Sequence, residues 1–241
     1  LAKFLGFYAA EGHKEKHRGD RAVLSFGTHE PDTIKDACES IEKSFGIKPT
    51  FINPHSTETQ VRASNKVLVR FLEKIGVGED AKTKRVPEIV FNLPYEAQKE
   101  FLKAYFTGDG YDLKNGGKGY LAAKSASRKL LSDLSYLLLQ HGIIARLKGP
   151  FKEKERELNG QLMKESIAYK LYIAEKEFKK IDREIGLPPF ALPTKEIRLE
   201  KLARLIKEKI LKKLAYDYIS NYKRKGRNYI GKQIVKKMLS S

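Results

Sequence analysis

Cysteine is all but missing from this 241-residue chain. Cys38 stands alone, which excludes an internal disulfide and any multi-cysteine zinc site; it is expected as a core thiol in a helix after Pro31. No apolar run approaches the roughly 20 residues that span a bilayer, so no membrane partner is expected. Nothing near the start reads as a secretory signal, and the chain opens on Leu1 instead of Met. That is the pattern expected of a processed or excised piece, placed in the cytoplasm or nucleoid, or in an organelle. Acids are in deficit: 30 Asp and Glu against 48 Lys and Arg leave a formal charge of +18. An acidic small molecule would not need so much charge, whereas a polyanion would be drawn over long range and bound salt-dependently. The solvated basic surface of a ribosomal or thermophilic protein would have the same composition; nucleic acid is the preferred reading.

What the chain does have is one nine-residue pattern, twice: FLGFYAAEG at 4–12 and LKAYFTGDG at 102–110. The two align without a gap, and their carboxylates, Glu11 and Asp109, fall at the same position 98 residues apart. Small residues recur four apart in each, Gly6 with Ala10 and Ala104 with Gly108, so on a helix they make one flat face where two backbones can approach closely. Packing the two faces would bring Glu11 and Asp109 together. Gly12 and Gly110, directly after the acids, are read as left-handed helix caps, and the acids as lying at negative helix C-termini, where a cation is favoured. One apolar helix ending in acid-Gly is usually a capped core helix. Two copies at a domain-sized interval point to a repeat.

The doubled motif resembles that of the LAGLIDADG homing endonucleases, which ends in an acidic residue followed by Gly. The resemblance covers roughly residues 1–195. It implies an α+β fold of two pseudo-symmetric αββαββα repeats whose antiparallel sheets form a DNA-binding saddle. It also implies a monomeric pseudo-dimer in which each carboxylate serves one strand of double-stranded DNA, leaving a double-strand break with short 3′ overhangs. Glu in one half and Asp in the other suit a fused pair that cuts an asymmetric site.

The rest of the chain follows the same order of elements twice. A polar stretch, the apolar AVLSF (22–26) and a helical run (32–47) follow the first motif; YDLKNGGKG, YLAA (120–123) and a helical run (127–143) follow the second. Strand candidates then come at 49–53 and 58–64, and at 145–151 and 167–174, each pair followed by a helix that ends at Gly76 or Gly186. Alternation in Thr59 to Ala63 and in Tyr169 to Ile173 predicts strands with one wet face. A wet face of basic and amide side chains can read base edges in the major groove. The candidate contacts, chosen by predicted face, are Arg21, Ser25, Thr28, His29, Arg62, Tyr120, Lys124, Arg146, Lys148 and Lys170.

Between the repeats, residues 79–98 contain Pro87 and Pro94 and read as a linker with a short helical insert. Its Lys84-Arg85-Val86-Pro87 resembles a block of intein-borne family members in which the Lys is a catalytic cation; Lys195 occupies a matching place after the second repeat. Lys66 and Lys176, each ahead of a final helix, form the competing pair. Phosphodiester cleavage needs an activated water and offsets for the phosphoryl and leaving-oxygen charge. Two carboxylates holding hard divalent cations supply all three. Glu11 and Asp109 are the expected ligands of two or three Mg²⁺ ions, with Mn²⁺ able to substitute and the carbonyls of Gly12 and Gly110 as helpers. His13 and His17 are four apart but lack a third ligand, so phosphate or base contact is expected of them instead of zinc.

Residues 149–160 read as a charged hairpin or loop, and 115–118 as a flexible tip. Residues 194–241 carry fifteen Lys and Arg against four acids and form two amphipathic helical runs around KRKGRN. Lys223, Arg224, Lys225 and Arg227 there are either a DNA grip or the solvated face of a docked helix. The expected divisions are 1–90 for the first repeat, with the linker from 79, 91–193 for the second, and 194–241 for a basic helical C-terminal extension. With no nucleophilic Cys or Ser at its start and no terminal His-Asn, the chain alone is not expected to splice. Two alternatives stay open: an RNA maturase that binds intron RNA, and a non-catalytic DNA-binding regulator on the same fold.

Overall fold

The computed structural model describes residues 1–15, 21–112, 120–158, 161–163, 165–174, 177, 180, 185 and 186. The first repeat runs α1 (Ala2–Glu11), β1 (Gly12–Lys14), β2 (Arg21–Gly27), α2 (Pro31–Phe45), β3 (Thr50–His55), β4 (Glu58–Ser64) and α3 (Lys66–Ile75). After the short helix α4 (Glu88–Phe91), the second runs α5 (Tyr95–Asp109), β5 (Gly110–Asp112), β6 (Tyr120–Ser125), α6 (Arg128–Gln140) and β7 (Ala145–Glu153). A small hairpin of β8 (Arg156–Leu158) and β9 (Gln161–Met163) precedes β10 (Ser166–Ala174). The order αββαββα is complete in the first repeat. In the second, the final helix is described only at Glu177, Lys180 and Ile185. His17, residues 115–118, Lys176 and all of 194–241, with Lys195, Lys223, Arg224, Lys225 and Arg227, lie outside the described residues.

Local chemistry sets the helix ends. Pro31 starts α2 where its missing N–H costs nothing, and α2 stops at Gly46, which has a left-handed φ of 65°. Asn65 and Ser127 cap α3 and α6, their side-chain oxygens accepting the amides of Leu68 and Leu130 at 3.0 and 3.1 Å. Each satisfies one of the orphan donors at a helix start.

Two four-stranded antiparallel sheets result, in the orders β1-β2-β4-β3 and β5-β6-β10-β7. The alternation predicted in β4 and β10 is observed: Val61, Ala63, Leu171 and Ile173 are buried, while Gln60, Arg62, Lys170 and Tyr172 between them are not. The buried faces meet α1 and α5 in one apolar core that includes Phe4, Phe7, Leu24, Phe101, Leu121 and Leu171. Leu1–Pro193 forms one compact unit, so the two repeats share that core. Among the described residues no helix is long and apolar enough to cross a membrane.

Gly12 and Gly110 differ from expectation. Neither is left-handed: their φ,ψ values are −81°, 145° and −77°, 138°, extended backbone in both cases. Each helix passes directly into a strand with no reversal. Glycine is needed for a different reason. A Cβ at Gly12 would lie 2.4 Å from the Tyr8 carbonyl oxygen, and one at Gly110 would lie 2.2 Å from that of Phe106.

Candidate active site

Helices α1 and α5 cross on their small residues. A Cβ on Gly6 would stand 2.3 Å from the Phe101 carbonyl oxygen and 2.8 Å from Ala104 Cβ; one on Gly108 would stand 2.9 Å from Ala10 Cβ. Gly of each helix therefore faces Ala of the other. The same crossing sets the acids side by side, since that Gly108 Cβ would also lie 3.1 Å from Glu11 Cγ and 3.4 Å from Glu11 Oε1. Glu11 thus lies across the backbone of the residue that precedes Asp109.

Lys84 joins the pair. Its ammonium donates to the Ala10 carbonyl oxygen at 2.7 Å, one of the carbonyls that a helix end leaves without an intrahelical partner. The three charges perturb one another. Burial, the Asp109 charge and Glu30 push the Glu11 carboxyl up to about 7, with Lys84 opposing. Burial pushes Asp109 up to about 6, against the Lys84 charge and a hydrogen bond from Tyr105. Burial lowers Lys84, and both carboxylates act to raise it. Lys66, the competing choice, lies exposed on the first turn of α3.

Two carboxylates suited to hard cations, crowded together with a single ammonium, leave one negative charge in excess when both acids are ionised. That donor set fits a divalent cation such as Mg²⁺. Among the described residues no group of three or more His, Cys, Asp or Glu could hold a metal. Further ligands would therefore be backbone carbonyls, water or phosphate oxygens, and Gly12 and Gly110 stand directly behind the acids.

Sequence reasoning missed two residues here. Tyr105 is fully buried, and its hydroxyl lies 3.4 Å from Asp109 Oδ2. The signal was available in the motif alignment, where the matching residue is Phe7. Ser127, 1% exposed, donates to the Lys84 carbonyl oxygen at 2.6 Å; that contact spans 43 residues and has no local signature.

The wet faces differ in charge. On the second sheet Lys124, Lys170 and Lys148 pair directly across β6, β10 and β7, and Tyr172 pairs with Arg146 beside them. Lys148 lies 5.1 Å over the Tyr172 ring and Lys170 lies 5.3 Å over Phe151; Lys124 meets Glu153 at 2.5 Å. On the first sheet Arg62 donates to Gln60 at 2.9 Å, and Arg21 lies 3.3 Å from Glu15. Gln60 pairs across with Ser25. Thr28 and His29 are not on the sheet face: they form the exposed turn after β2, where Thr28 donates to the Ser56 carbonyl at 3.3 Å. Tyr120 opens β6, and its side chain is outside the described residues.

Comparison with known proteins follows the same outline. A family model described as a LAGLIDADG-like domain matches residues 1–76 and 96–186. The DNA polymerase II large subunit of Thermococcus kodakarensis is 34% identical over 140 residues, 58% of this chain and 8% of that protein. The replication factor C small subunit of Methanocaldococcus jannaschii is 30% identical over 150 residues, 61% of this chain and 8% of that protein. Transcription initiation factor IIB of the same organism is 30% identical over 140 residues, 58% and 18% respectively. The chain thus spans less than a fifth of the length of these relatives. Among solved structures, the homing endonuclease I-DmoI in complex with DNA and calcium aligns at a TM-score of 0.50 with 17% identity, covering 84% of this chain and 94% of its own. The homing endonuclease I-WcaI bound to its DNA recognition sequence aligns at 0.53 with 13% identity, covering 80% and 86%. At these identities the likeness is one of fold.

Proposed function

Since the chain belongs to the LAGLIDADG-like domain family, we propose that it is a site-specific homing endonuclease, which makes a double-strand break in a long asymmetric DNA target. The observation that carries this reading is the site itself: two carboxylates at the ends of two crossing, pseudo-symmetric helices, with one lysine ammonium beside them.

In this mechanism the wet faces of the two sheets hold the duplex. The second sheet supplies the phosphate-directed charge of Lys124, Lys148, Lys170 and Arg146, and the first supplies more neutral hydrogen-bonding groups, Ser25 and Gln60 with Arg62. Glu11 and Asp109 would hold the divalent ions, Mg²⁺ or Mn²⁺, and each acid would serve one strand. Those ions, when bound, supply an activated water and offset charge on the phosphoryl and leaving oxygens. Lys84 places its ammonium where phosphoryl charge builds up and holds it there through the Ala10 carbonyl, so little reorganisation is needed during reaction. Raised carboxyl pKa values mean that Glu11 is only about half ionised near pH 7 in the free protein, while Asp109 is mostly ionised there. A bound cation shifts that balance toward the ionised form.

The relatives support an intein-borne origin. A polymerase subunit, a clamp-loader subunit and a transcription factor share no activity, yet each matches this chain over a minor fraction of its length. A mobile element lodged in unrelated hosts accounts for that pattern. The nuclease would then act as a monomer on DNA.

The test is cleavage of a large randomised duplex library with Mg²⁺, with Glu11→Gln run beside it. Ends that converge on one long asymmetric site and vanish in the variant are expected. Salt-sensitive binding of DNA or RNA without any cleavage would overturn the nuclease reading in favour of a maturase or a regulator.

A further inference from the structure

We propose that Ser127 is a positioning residue for Lys84, and that the cap of α6 thereby sets the active-site cation. The inference deepens the endonuclease reading where it concerns rate, and rests on geometry alone where it concerns Lys84.

A serine hydroxyl has one proton to donate and two lone pairs. At Ser127 one lone pair accepts Leu130 N–H at 3.1 Å, the ordinary duty of an N-cap. The proton goes elsewhere, to the carbonyl oxygen of Lys84 at 2.6 Å. Ser127 is held in turn, its amide donating to Ser125 Oγ at 3.1 Å. With the side chain 1% exposed, no water competes for that proton, and an unpaired buried donor would be costly.

Lys84 is thus fixed at two ends by different repeats. Its backbone is bound by α6 of the second repeat, through Ser127, and its ammonium by the C-terminal turn of α1 in the first, through Ala10. Neighbours reinforce the backbone anchor. Arg85 Nε lies 3.5 Å from Asp133 on α6, Arg85 N donates to the Val77 carbonyl at 3.2 Å, and Val86 is fully buried. A lysine side chain has four rotatable bonds and much entropy to lose. Fixing its backbone at 2.6 Å removes one source of drift at the ammonium, and displacement of about 1 Å at a reacting group can cost up to a hundredfold in rate.

A capping role and a positioning role separate experimentally. Replacing a capping serine by alanine costs about 1 kcal/mol of stability, and replacing it by glycine only a few tenths. Both replacements delete the donor to Lys84. If Ser127 only caps, Ser127→Gly behaves like the parent and Ser127→Ala shows a lower melting temperature with no change at Lys84. If Ser127 positions Lys84, both variants release it equally. The first readout is trace acetylation of intact protein, with the Lys84 amine quantified by mass spectrometry. Labelling about three- to tenfold faster in Ser127→Gly is expected, the range that one lost hydrogen bond allows. An unchanged labelling rate overturns the proposal whether or not the protein cleaves DNA. The second readout is single-turnover cleavage, where both variants are expected to lose about tenfold in rate at unchanged DNA affinity. In a Lys84→Met background, Ser127→Gly should cost nothing further in rate; a full additional loss would show that Ser127 acts by another route. Faster Lys84 labelling in Ser127→Gly, alongside a parent protein that never cleaves, would leave the contact standing and sink the nuclease reading alone.

Discussion

Tyr105 Oη lies 3.4 Å from Asp109 Oδ2, one helical turn away on α5, and the matching residue of the first repeat, Phe7, has no hydroxyl to offer Glu11. The two carboxylates are therefore not equivalent beyond their chain lengths. Removing the phenol takes away a contact that holds Asp109 down. Tyr105→Phe should leave Asp109 protonated to higher pH and slow the strand it serves. Nicked plasmid should accumulate ahead of linear product, most visibly below pH 7, in a gel time course. Equal accumulation in parent and variant at all pH values would show that the hydroxyl is idle.

Burial leaves a second, metal-free signature. Folding raises Glu11 from 4.5 to about 7 and Asp109 from 3.8 to about 6. Across those windows the folded state holds more protons than the unfolded one, so stability falls as pH climbs. Melting temperature in EDTA should decline between about pH 4 and pH 7, an effect on the order of 3 kcal/mol for each acid. Glu11→Gln should flatten the decline and raise stability at pH 8 while abolishing double-strand cleavage. A profile that rises over that range would contradict the crowded-carboxylate picture.

The helix crossing should rank its glycines. At Gly6 an added methyl meets a backbone carbonyl at 2.3 Å, whereas at Gly108 it meets the side chains of Ala10 and Glu11. Gly6→Ala should cost about 3 kcal/mol or more, and Gly108→Ala nearer 1, read by urea denaturation. In an exposed helix either change would instead help, by about 1 kcal/mol. Stabilisation by both would mean that α1 and α5 do not pack this way.

Lys148 and Lys170 stand directly opposite one another and repel, whereas Lys124 beyond them is paired with Glu153. A polyanion relieves that strain, so Lys170→Ala and Lys148→Ala should each weaken binding to any duplex and lower the salt slope by about 1. Gln60→Ala on the other sheet should leave the slope unchanged. Equal slopes for all three variants would remove the electrostatic division between the sheets.

Features with a local or periodic cause were legible in the sequence. Gly6, Ala10, Ala104 and Gly108 announced the helix crossing because spacing by four places residues on one helical face. Strand β4 was bounded correctly because Val61 and Ala63 alternate with polar neighbours. Strand β1 was hidden, since Gly12-His13-Lys14 has no apolar alternation and is a strand only through its backbone pairing with β2. Helix α5 begins seven residues before the motif that revealed it, just after Pro94, in a stretch assigned to the linker. The extended Gly12 and Gly110 were misread because acid-Gly at a helix end looks the same whether the chain reverses or runs straight on. The site itself was half legible: its acids share a motif, but Ser127 and Tyr105 acquire their parts only from what folding brings beside them.

One of the three charged groups at the centre belongs to neither repeat. Lys84 comes from the segment that ties the halves together, so the tether itself reaches the centre. Splitting the chain on either side of position 84 assigns the cation to one fragment and withholds it from the other. Two pieces that reassembled their helices faithfully would still depend on where the cut was made.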